Sequence, residues 1–213
     1  MDEIRRWFFE VRADETIKNL IKHEFEAIKV SERLSVVEEI MKRIPPTKTV
    51  GVGGSITLRE IGIIDKLQEQ GNVIYDHWKE GLSKEDPITI RKMQQSSDVF
   101  LTSANAVTSN GEIVSIDGFG NRISSMMFGP KEVMIVAGYN KIVQDIPEAM
   151  NRIKTLAAPM NAKRFGADTP CARLGKCMDC DSPQRICRGT LIMERRPFAT
   201  PTLVVIVMAD LGY

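Results

Sequence analysis

Short stretches that are apolar at nearly every position recur along this chain, and segments of helical character separate them. The clearest are Val99 to Ser103, Glu132 to Ala137 and Thr202 to Met208. A strand with one face in water alternates apolar and polar residues, whereas a strand covered on both faces is apolar throughout. The alternation of such strands with helices predicts an α/β chain with a mostly parallel, doubly wound sheet.

The length of 213 residues fits one α/β domain, and we expect residues 1–213 to form it. Residues 1–30 are predicted to be an N-terminal helical extension, because apolar residues recur at roughly helical spacing over residues 2–23. Phe25 to Val30 could continue that helix or form a short strand. Residues 170–190 are predicted to be a cysteine-rich loop within the domain.

Charge and composition exclude several classes of partner. The formal net charge is +1 without a long basic run, and aromatic residues make up 6%, which argues against nucleic-acid binding. The charged N-terminus is unlike a signal peptide, and the longest strongly apolar run, Leu203 to Ala209, is too short to span a bilayer. We therefore expect a cytoplasmic protein with no membrane contact.

A glycine-rich stretch, Val50-Gly51-Val52-Gly53-Gly54-Ser55, lies where a short buried strand is expected to meet a helix. Glycines let the backbone approach a ligand closely, and a helix N-terminus offers unpaired N–H groups, so Gly53, Gly54 and Ser55 suit an anion. The stretch is neither the dinucleotide-binding G-x-G-x-x-G pattern nor a Walker loop. A tight strand–helix turn capped by Ser55 explains the same residues equally well.

The densest group of turn residues runs from Asn105 to Arg122 and reads NAVTSNGEIVSIDGFGNR. Its first half is explained as a hairpin, because Asn110-Gly111 separates two short runs of strand character. Its second half, which begins at Asp117, offers backbone amides, a carboxylate, an amide and a guanidinium. Open parallel sheets bind ligands beyond the carboxyl ends of their strands, so we expect this corner to face the glycine-rich stretch across a pocket.

Two charged residues stand out near the expected pocket. Lys141 follows a predicted strand and is either a point charge for a phosphate or carboxylate, or a solvated lysine at a helix start. Asp117 is the candidate catalytic residue, as a general base, although an Asx turn explains it better. His23 and His77 have no serine or cysteine partner nearby in sequence, so neither is assigned a role.

All four cysteines lie in one segment, where Cys171, Cys177, Cys180 and Cys187 form the pattern C-x5-C-x2-C-x6-C. In a reducing compartment such a cluster favours coordination of zinc or of an iron–sulfur cluster. Free thiols, or disulfides in an oxidised sample, are the alternatives. The spacing alone does not distinguish zinc from an iron–sulfur cluster.

Several strings of residues in this chain match a known family. They are Gly53-Gly54-Ser55, Leu58-Arg59-Glu60-Ile61-Gly62, Thr102 to Arg122, Phe128-Gly129-Pro130, Gly138-Tyr139-Asn140-Lys141-Ile142-Val143, Pro159-Met160-Asn161-Ala162-Lys163-Arg164, and Ser182-Pro183 with Arg185-Ile186-Cys187. On these strings, from about Arg33 to Tyr213, the chain resembles the LUD-domain family of lactate-utilisation proteins. The resemblance implies a fold like that of ribose-5-phosphate isomerase and the CoA transferases, with phosphorylated or carboxylated ligands bound at strand ends.

The resemblance also implies a function. The chain is expected to be a component of lactate or related hydroxy-acid utilisation, to bind an anionic small molecule, and to work beside iron–sulfur redox partner proteins. It leads us to favour a 4Fe–4S cluster over zinc at the four cysteines. The family gives no catalytic residue to carry over. With Lys141 added from its position, the expected ligand-binding residues are Gly53, Gly54, Ser55, Asn105, Asn110, Asp117, Gly118, Gly120, Asn121, Arg122 and Lys141.

Two alternative functions stay open. The glycine-rich loops at two strand ends also suit an isomerase or an acyl-transferase-like enzyme acting on a phosphorylated or CoA-linked metabolite. Because no nucleophile–base pair is visible in the sequence, a non-catalytic, metal-stabilised regulatory module is the other alternative. The apolar cluster Trp7-Phe8-Phe9 is either part of the core, the more common outcome, or a contact in a homodimer.

Overall fold

The computed structural model describes residues 2–83 and 86–213, which fold into two β-sheets and the helices that cover them. Six strands form the larger sheet and four strands form the smaller one in this part of the chain. In chain order the strands are β1 (Glu26–Val30), β2 (Val50–Val52), β3 (Ile74–Asp76), β4 (Val99–Thr102), β5 (Ala106–Thr108), β6 (Ile113–Asp117), β7 (Glu132–Gly138), β8 (Ile142–Val143), β9 (Gly189–Met193) and β10 (Thr202–Val207).

The helices of the described residues are mostly short. In chain order they are α1 (Glu3–Lys22), α2 (Arg33–Arg43), α3 (Ile56–Glu60), α4 (Ile63–Gln70), α5 (Asp86–Gln95), α6 (Asn121–Met127), α7 (Ile146–Arg152), α8 (Ala158–Arg164) and α9 (Pro170–Leu174). A 3₁₀ turn, Tyr139–Lys141, follows β7, and the π-helical segment Ile153–Ala157 joins α7 to α8. None of the helices described has the length and apolar character needed to cross a membrane.

The larger sheet is parallel throughout, with the strand order β1-β10-β7-β4-β2-β3. The apolar strands β10 and β7 are neighbours in its interior, where Val205 pairs with Val136. All six residues of β10 are buried, as expected for a strand with both faces covered. The prediction of an α/β fold with a mostly parallel, doubly wound sheet is confirmed.

Each face of the larger sheet packs against a separate apolar cluster, because successive residues of a strand point to opposite faces. On one face Leu203, Val205 and Val207 of β10 pack in the same cluster as buried residues of α2, α3 and α4. On the other face Val204 and Ile206 join a cluster with residues of α1, α6 and the smaller sheet. The smaller sheet therefore takes the place of some of the helices that would cover this face.

The smaller sheet, ordered β8-β5-β6-β9, is built around the predicted hairpin. β5 and β6 are antiparallel, with Val107 opposite Ile113, so the hairpin prediction at Asn110-Gly111 is correct. The sequence did not predict that β8 and β9 would extend the hairpin into a sheet. β8 is buried but has only two residues, and in β9 only Met193 is buried, so neither gives the long apolar run of a buried strand.

The N-terminal segment is helical only in part. α1 ends at Lys22, and residues 26–30 form β1, which pairs with β10 at the edge of the larger sheet. The side chains of Trp7 and Phe8 are 61% and 46% exposed, so the core interpretation is wrong for them. The ring of Phe9 packs 4.4 Å from that of Tyr139. Contact of Trp7 and Phe8 with a second copy of the chain stays a prediction.

Candidate functional site

A cavity of about 550 Å³ opens at the carboxyl ends of the parallel strands. It is lined by residues that follow β2 (53–55), by residues that follow β4 (103–105), and by Lys141, which follows β7 through the 3₁₀ turn. An open α/β sheet binds its ligands at this edge. The topology therefore brings the glycine-rich stretch and the corner that ends at Arg122 to one place.

The loop after β2 is shaped by close packing. A Cβ atom on Gly53 would lie 2.6 Å from Oγ1 of Thr102 and 2.8 Å from the ring of Phe100, so a larger residue does not fit. Ser55 caps α3, because its hydroxyl accepts a hydrogen bond from the N–H of Leu58 at 3.3 Å. With five residues, α3 has a small dipole with which to attract an anion. The capped-turn interpretation therefore accounts for this loop, which also forms a wall of the cavity.

Asp117 ends β6 and holds the corner together through its carboxylate. Oδ1 accepts a hydrogen bond from the N–H of Phe119 at 3.0 Å. Oδ2 accepts from the N–H groups of Arg122 and Ile123, at 2.9 and 3.4 Å. Both oxygens thus satisfy backbone donors at the start of α6. These contacts are those of a turn and cap residue, the alternative to a general base.

Arg122 connects the corner at residues 117–122 to the residues that follow β4. One terminal nitrogen, Nη1, donates to the carbonyl oxygen of Ser103 at 3.2 Å and to Oγ of Ser115 at 3.3 Å. The other, Nη2, donates to the carbonyl oxygen of Ile116 at 2.6 Å and to Oδ1 of Asn105 at 3.1 Å. Burial lowers the pKa of the guanidinium. Arg122 and Asn105 thus line the cavity and also support its wall.

Lys141 is buried beside the cavity, and its ammonium group is held by neutral partners. Nζ donates to Oγ1 of Thr57 and Oγ of Ser103, both at 3.0 Å, and to the carbonyl oxygen of Ala104 at 3.3 Å. The residue is 3% exposed. Within residues 2–83 and 86–213 it forms no ion pair with a carboxylate. Burial, reinforced by the charge of Arg152, lowers the pKa of Lys141 to about 7. The interpretation of Lys141 as a solvated lysine at a helix start is therefore wrong.

The remaining predicted residues divide between the cavity and its surroundings. Gly118 and Asn121 line the cavity, and Nδ2 of Asn121 donates to Oε1 of Gln94 at 3.3 Å. Gly120 has a φ of 85°, directly before α6, and is outside the lining. Asn110 is exposed at the hairpin turn, which packs against α1, and it is also outside the lining. The expected contact of Asn110 with the ligand thus has no support, because the hairpin directs its turn towards α1.

His77 lines the cavity, although no role was predicted for it from the sequence. The buried amide of Gln94 donates from Nε2 to Nδ1 of His77 at 2.8 Å. The two protons of this nitrogen are shared with the carbonyl oxygens of Val52 and Tyr75, at 2.7 and 3.0 Å, and these contacts assign the orientation of the amide. Nδ1 of His77 is therefore an acceptor, and the ring proton is on Nε2. Burial lowers the pKa of His77 to about 4, which keeps the ring neutral.

Two more lining residues carry polar atoms that lack partners in the described part of the chain. Nε of Arg91 and the hydroxyl of Tyr213 are buried there without a hydrogen bond. Burial lowers the pKa of Arg91, whose guanidinium lies 4.1 Å over the ring of Phe119. Burial raises the pKa of Tyr213. Because an unsatisfied buried polar group costs free energy, both atoms favour a ligand that supplies acceptors.

The four cysteines lie in one loop-rich segment. Cys171 is buried in α9, Cys177, Cys180 and Cys187 are half-buried, and all four are free. The N–H of Asp179 donates to Sγ of Cys177 at 3.4 Å. In the ranges that the structure describes, no three His, Cys, Asp or Glu side chains are arranged to hold a metal ion.

Cys187 brings the cysteine segment to the cavity wall. Burial raises the pKa of its thiol, the charge of Arg185 opposes that rise, and the other three cysteines add to it. The thiol of Cys187 is therefore within electrostatic range of the other three thiols. Nε and Nη1 of Arg185 donate to the carbonyl oxygens of Cys187 and Cys180, at 2.9 and 2.8 Å. One guanidinium thus connects the two ends of the C-x6-C loop.

A family model described as the LUD domain matches residues 13–208. This chain belongs to the LUD-domain family. No curated protein gives a significant match. Among solved structures, this LUD domain is similar to a DUF162 family protein from Deinococcus radiodurans, with a TM-score of 0.51 and 14% sequence identity. The similarity covers 94% of this chain and 98% of that chain, and at this identity it shows the fold alone.

The cysteine segment and the cavity corner of this LUD domain are joined through the backbone. The N–H of Arg188 donates to the carbonyl oxygen of Asp117 at 3.0 Å, directly beside the pairing of β6 with β9. A Cβ atom on Gly118 would lie 2.8 Å from the carbonyl oxygen of Ile186. The two segments therefore pack at backbone distance, and a displacement of one displaces the other.

The cavity of this LUD domain has a strong excess of positive charge. Its described lining contains one side-chain carboxylate, that of Asp117, against five arginines and Lys141, which is partly charged at pH 7. The arginines are Arg91, Arg122, Arg164, Arg185 and Arg188. The formal net charge of the whole chain is +1, so positive charge is concentrated at this cavity. A concave site lined by one sign of charge attracts ligands of the opposite sign.

Proposed function

We propose that this cavity binds an anionic small molecule, and that the protein takes part in the utilisation of lactate or a related hydroxy acid. The excess of cationic side chains in the lining is the observation that carries the proposal. The carboxylate of Asp117 is already occupied by backbone donors. A bound anion would balance the charge of Arg91 and Lys141 in a partly desolvated site, where charge-assisted hydrogen bonds are strong.

The donors around the cavity match the oxygens of a hydroxy or oxo acid. The neutral ring of His77 offers one N–H from Nε2, and Arg91 offers its unpaired Nε. Tyr213 adds a hydroxyl group that can donate or accept. A carboxylate needs several donors, whereas a hydroxyl or carbonyl oxygen at the neighbouring carbon needs one or two. This set of residues serves both kinds of group.

We further propose that the four cysteines hold an iron–sulfur cluster or zinc, with a 4Fe–4S cluster favoured by the resemblance stated above. Four thiols in one segment support this proposal, since Cys187 is within electrostatic range of the other three and Sγ of Cys177 accepts an N–H. In the described residues no three of these side chains converge on one point, so binding of a metal requires the segment to close around it. A bound iron–sulfur cluster supplies one-electron transfer, whereas zinc supplies structural stability. Cys187 lines the cavity, so either centre would adjoin the ligand. Iron–sulfur proteins are the redox partners that we propose.

The size of the cavity favours a second candidate function. Its volume of about 550 Å³ is in the range of sites for drug-sized ligands, roughly 300–1,000 Å³. A three-carbon acid would leave much of that space empty. The second candidate is therefore an isomerase or an acyl-transferase-like enzyme whose substrate is a phosphorylated or CoA-linked metabolite.

Ligand-induced thermal stabilisation tests both candidates. The purified protein would be screened against lactate, pyruvate, sugar phosphates, nucleotides and CoA esters. We expect stabilisation by the hydroxy and oxo acids, and we expect Arg91→Gln to remove it. Lys163→Gln is the control, because Lys163 is exposed and is outside the lining. Stabilisation by CoA esters or phosphates alone would favour the second candidate, and the absence of any response would contradict both.

Anaerobic purification tests the proposed centre. We expect a brown protein with iron and acid-labile sulfide, and we expect Cys180→Ser to lose most of its metal. This loss is expected because each thiolate ligand contributes directly to metal affinity. A colourless protein with stoichiometric zinc would support a structural role for the centre and rule out electron transfer. A protein without either metal would contradict the proposal.

A further inference from the structure

We propose that Lys141 forms a reversible covalent iminium with the carbonyl carbon of a 2-oxo acid bound in the cavity. The inference rests on the proposed function, because it takes the class of its ligand from there. It adds an activity, covalent capture of the oxo acid by an amine of this chain. Lys141 was expected from the sequence only as a point charge.

The position of Lys141 suits a nucleophilic amine. It lines the cavity, yet it is 3% exposed, so bulk water is nearly excluded from its amine. Its partners are two hydroxyl groups and one carbonyl oxygen, on Thr57, Ser103 and Ala104. A lysine that is buried to this degree and has only a structural role is normally paired with a carboxylate. No described carboxylate forms such a pair with Lys141.

The charges around Lys141 favour its neutral form. Burial has the largest effect on its pKa, and the guanidinium groups of Arg152 and Arg122 act in the same direction. The carboxylates of Glu60 and Asp210 oppose them more weakly. With a pKa of about 7, about half of the amines are neutral at pH 7. An ordinary lysine is neutral in roughly one molecule in 2,500 at that pH. A desolvated amine next to cationic groups is a recognised form of activated lysine.

The covalent step balances without an oxidant. The neutral amine attacks the carbonyl carbon, a C–N bond forms, and the carbonyl electron pair moves to oxygen. A proton passes from nitrogen to that oxygen and gives a carbinolamine. Protonation of its hydroxyl group releases water, and a C=N iminium remains. Addition of water reverses each step, so the oxo acid is released unchanged.

Two hydroxyl groups are placed to move these protons. Oγ of Ser103 and Oγ1 of Thr57 each lie 3.0 Å from Nζ of Lys141, and both residues line the cavity. A hydroxyl group can donate and accept, so the hydrogen bonds can reverse when the amine loses its proton. Ser103 and Thr57 are thus positioning and proton-transfer residues in this step.

Borohydride trapping tests the inference. The full-length protein would be incubated with pyruvate and cyanoborohydride at pH 7, and modified peptides would be located by mass spectrometry. We expect one dominant adduct at Lys141, absent when lactate replaces pyruvate because lactate has no carbonyl carbon at that position. Lys141→Arg should lose the adduct, and Lys163→Arg should keep it. Lys141→Gln provides a second variant if the arginine does not fold.

The outcome separates this inference from the function on which it rests. If pyruvate stabilises the protein thermally but leaves Lys141 unmodified, the covalent step is wrong and the binding proposal stands. If neither pyruvate nor lactate stabilises the protein and no adduct forms, both are wrong. Modification of Lys141 no faster than that of exposed lysines such as Lys163 also overturns the inference, because it shows no activation of the amine.

Discussion

Gln94 donates a hydrogen bond from Nε2 to Nδ1 of His77 at 2.8 Å, and this contact fixes the tautomer of a cavity histidine. Oε1 of the same amide accepts from Asn121, so Gln94 connects His77 to the first residue of α6. Gln94 is fully buried, and Val52 accepts a further hydrogen bond from it. This network holds the imidazole in one orientation, in which Nε2–H is free to donate to a ligand.

This arrangement predicts how His77 affects stability. Its pKa is about 4 in the folded state and about 6.5 unfolded, so the unfolded chain binds more protons between those pH values. The free energy of unfolding should therefore rise with pH from about 4 to 6.5, by about 2 to 3 kcal/mol from this residue. Denaturation of His77→Gln should show a smaller rise over that range.

The other histidine is the matched control for that experiment. His23→Gln should keep the rise in the free energy of unfolding, because it leaves the buried ring of His77 in place. Heteronuclear NMR at neutral pH should place the proton of His77 on Nε2. A ring of His77 that titrates near 6.5, or an equal rise in the free energy of unfolding in His77→Gln, would show that burial does not keep this ring neutral.

The parallel sheet could be predicted from the sequence, because its strands carry their signal locally. β10 is apolar at five of six positions, and that pattern has no other simple explanation in a chain of this length. β9 could not be predicted in the same way. Its pairing with β6 joins residues far apart in sequence, and its apolar run, Leu191 to Met193, has only three residues.

The site was predictable to the extent that strand ends marked it. The residues after β2, β4 and β7 line the cavity as the topology requires. The same argument applied to β3 would have selected His77, the residue directly after it. Arg91 had no such signal, because it lies within α5, where an arginine is ordinarily solvated. The sequence also did not show how short α3 is. Its five residues give only a small helix dipole with which to attract an anion at Ser55.

Denaturation of a variant at Asp117 should test its role as a cap. Three backbone N–H groups lose their acceptor in Asp117→Ala. We expect the free energy of unfolding to fall by about 2 kcal/mol, the upper end for loss of a cap. Asp145→Ala is the control, since its carboxylate accepts from Glu148 to cap α7 and should cost about 1 kcal/mol. A change in Asp117→Ala within about 0.5 kcal/mol of zero, the range for surface substitutions, would contradict the capping role.

Lys141 should affect stability at alkaline pH in the ligand-free protein. Its folded pKa of about 7 lies below the unfolded value near 10.4, so between them the unfolded chain binds more protons. Its contribution to the free energy of unfolding should therefore rise with pH over that range, by up to about 4 kcal/mol. The difference between the protein and Lys141→Met, measured by urea denaturation at several pH values, isolates this effect. A difference that does not vary with pH would mean that the folded lysine keeps an ordinary pKa.

The packing of Gly118 against the cysteine segment gives a prediction for the metal centre. A Cβ atom there would lie 2.8 Å from the carbonyl oxygen of Ile186, so Gly118→Ala must push the segment away from the corner. We expect a loss of about 1 to 3 kcal/mol in the free energy of unfolding, typical of overpacking, together with a lower metal content per chain. Gly120→Ala is the matched control, because no atom lies within 4 Å of its Cβ and only its φ of 85° opposes the substitution. Equal metal content in the two variants, measured by plasma mass spectrometry after anaerobic purification, would show that the segment binds metal independently of the corner.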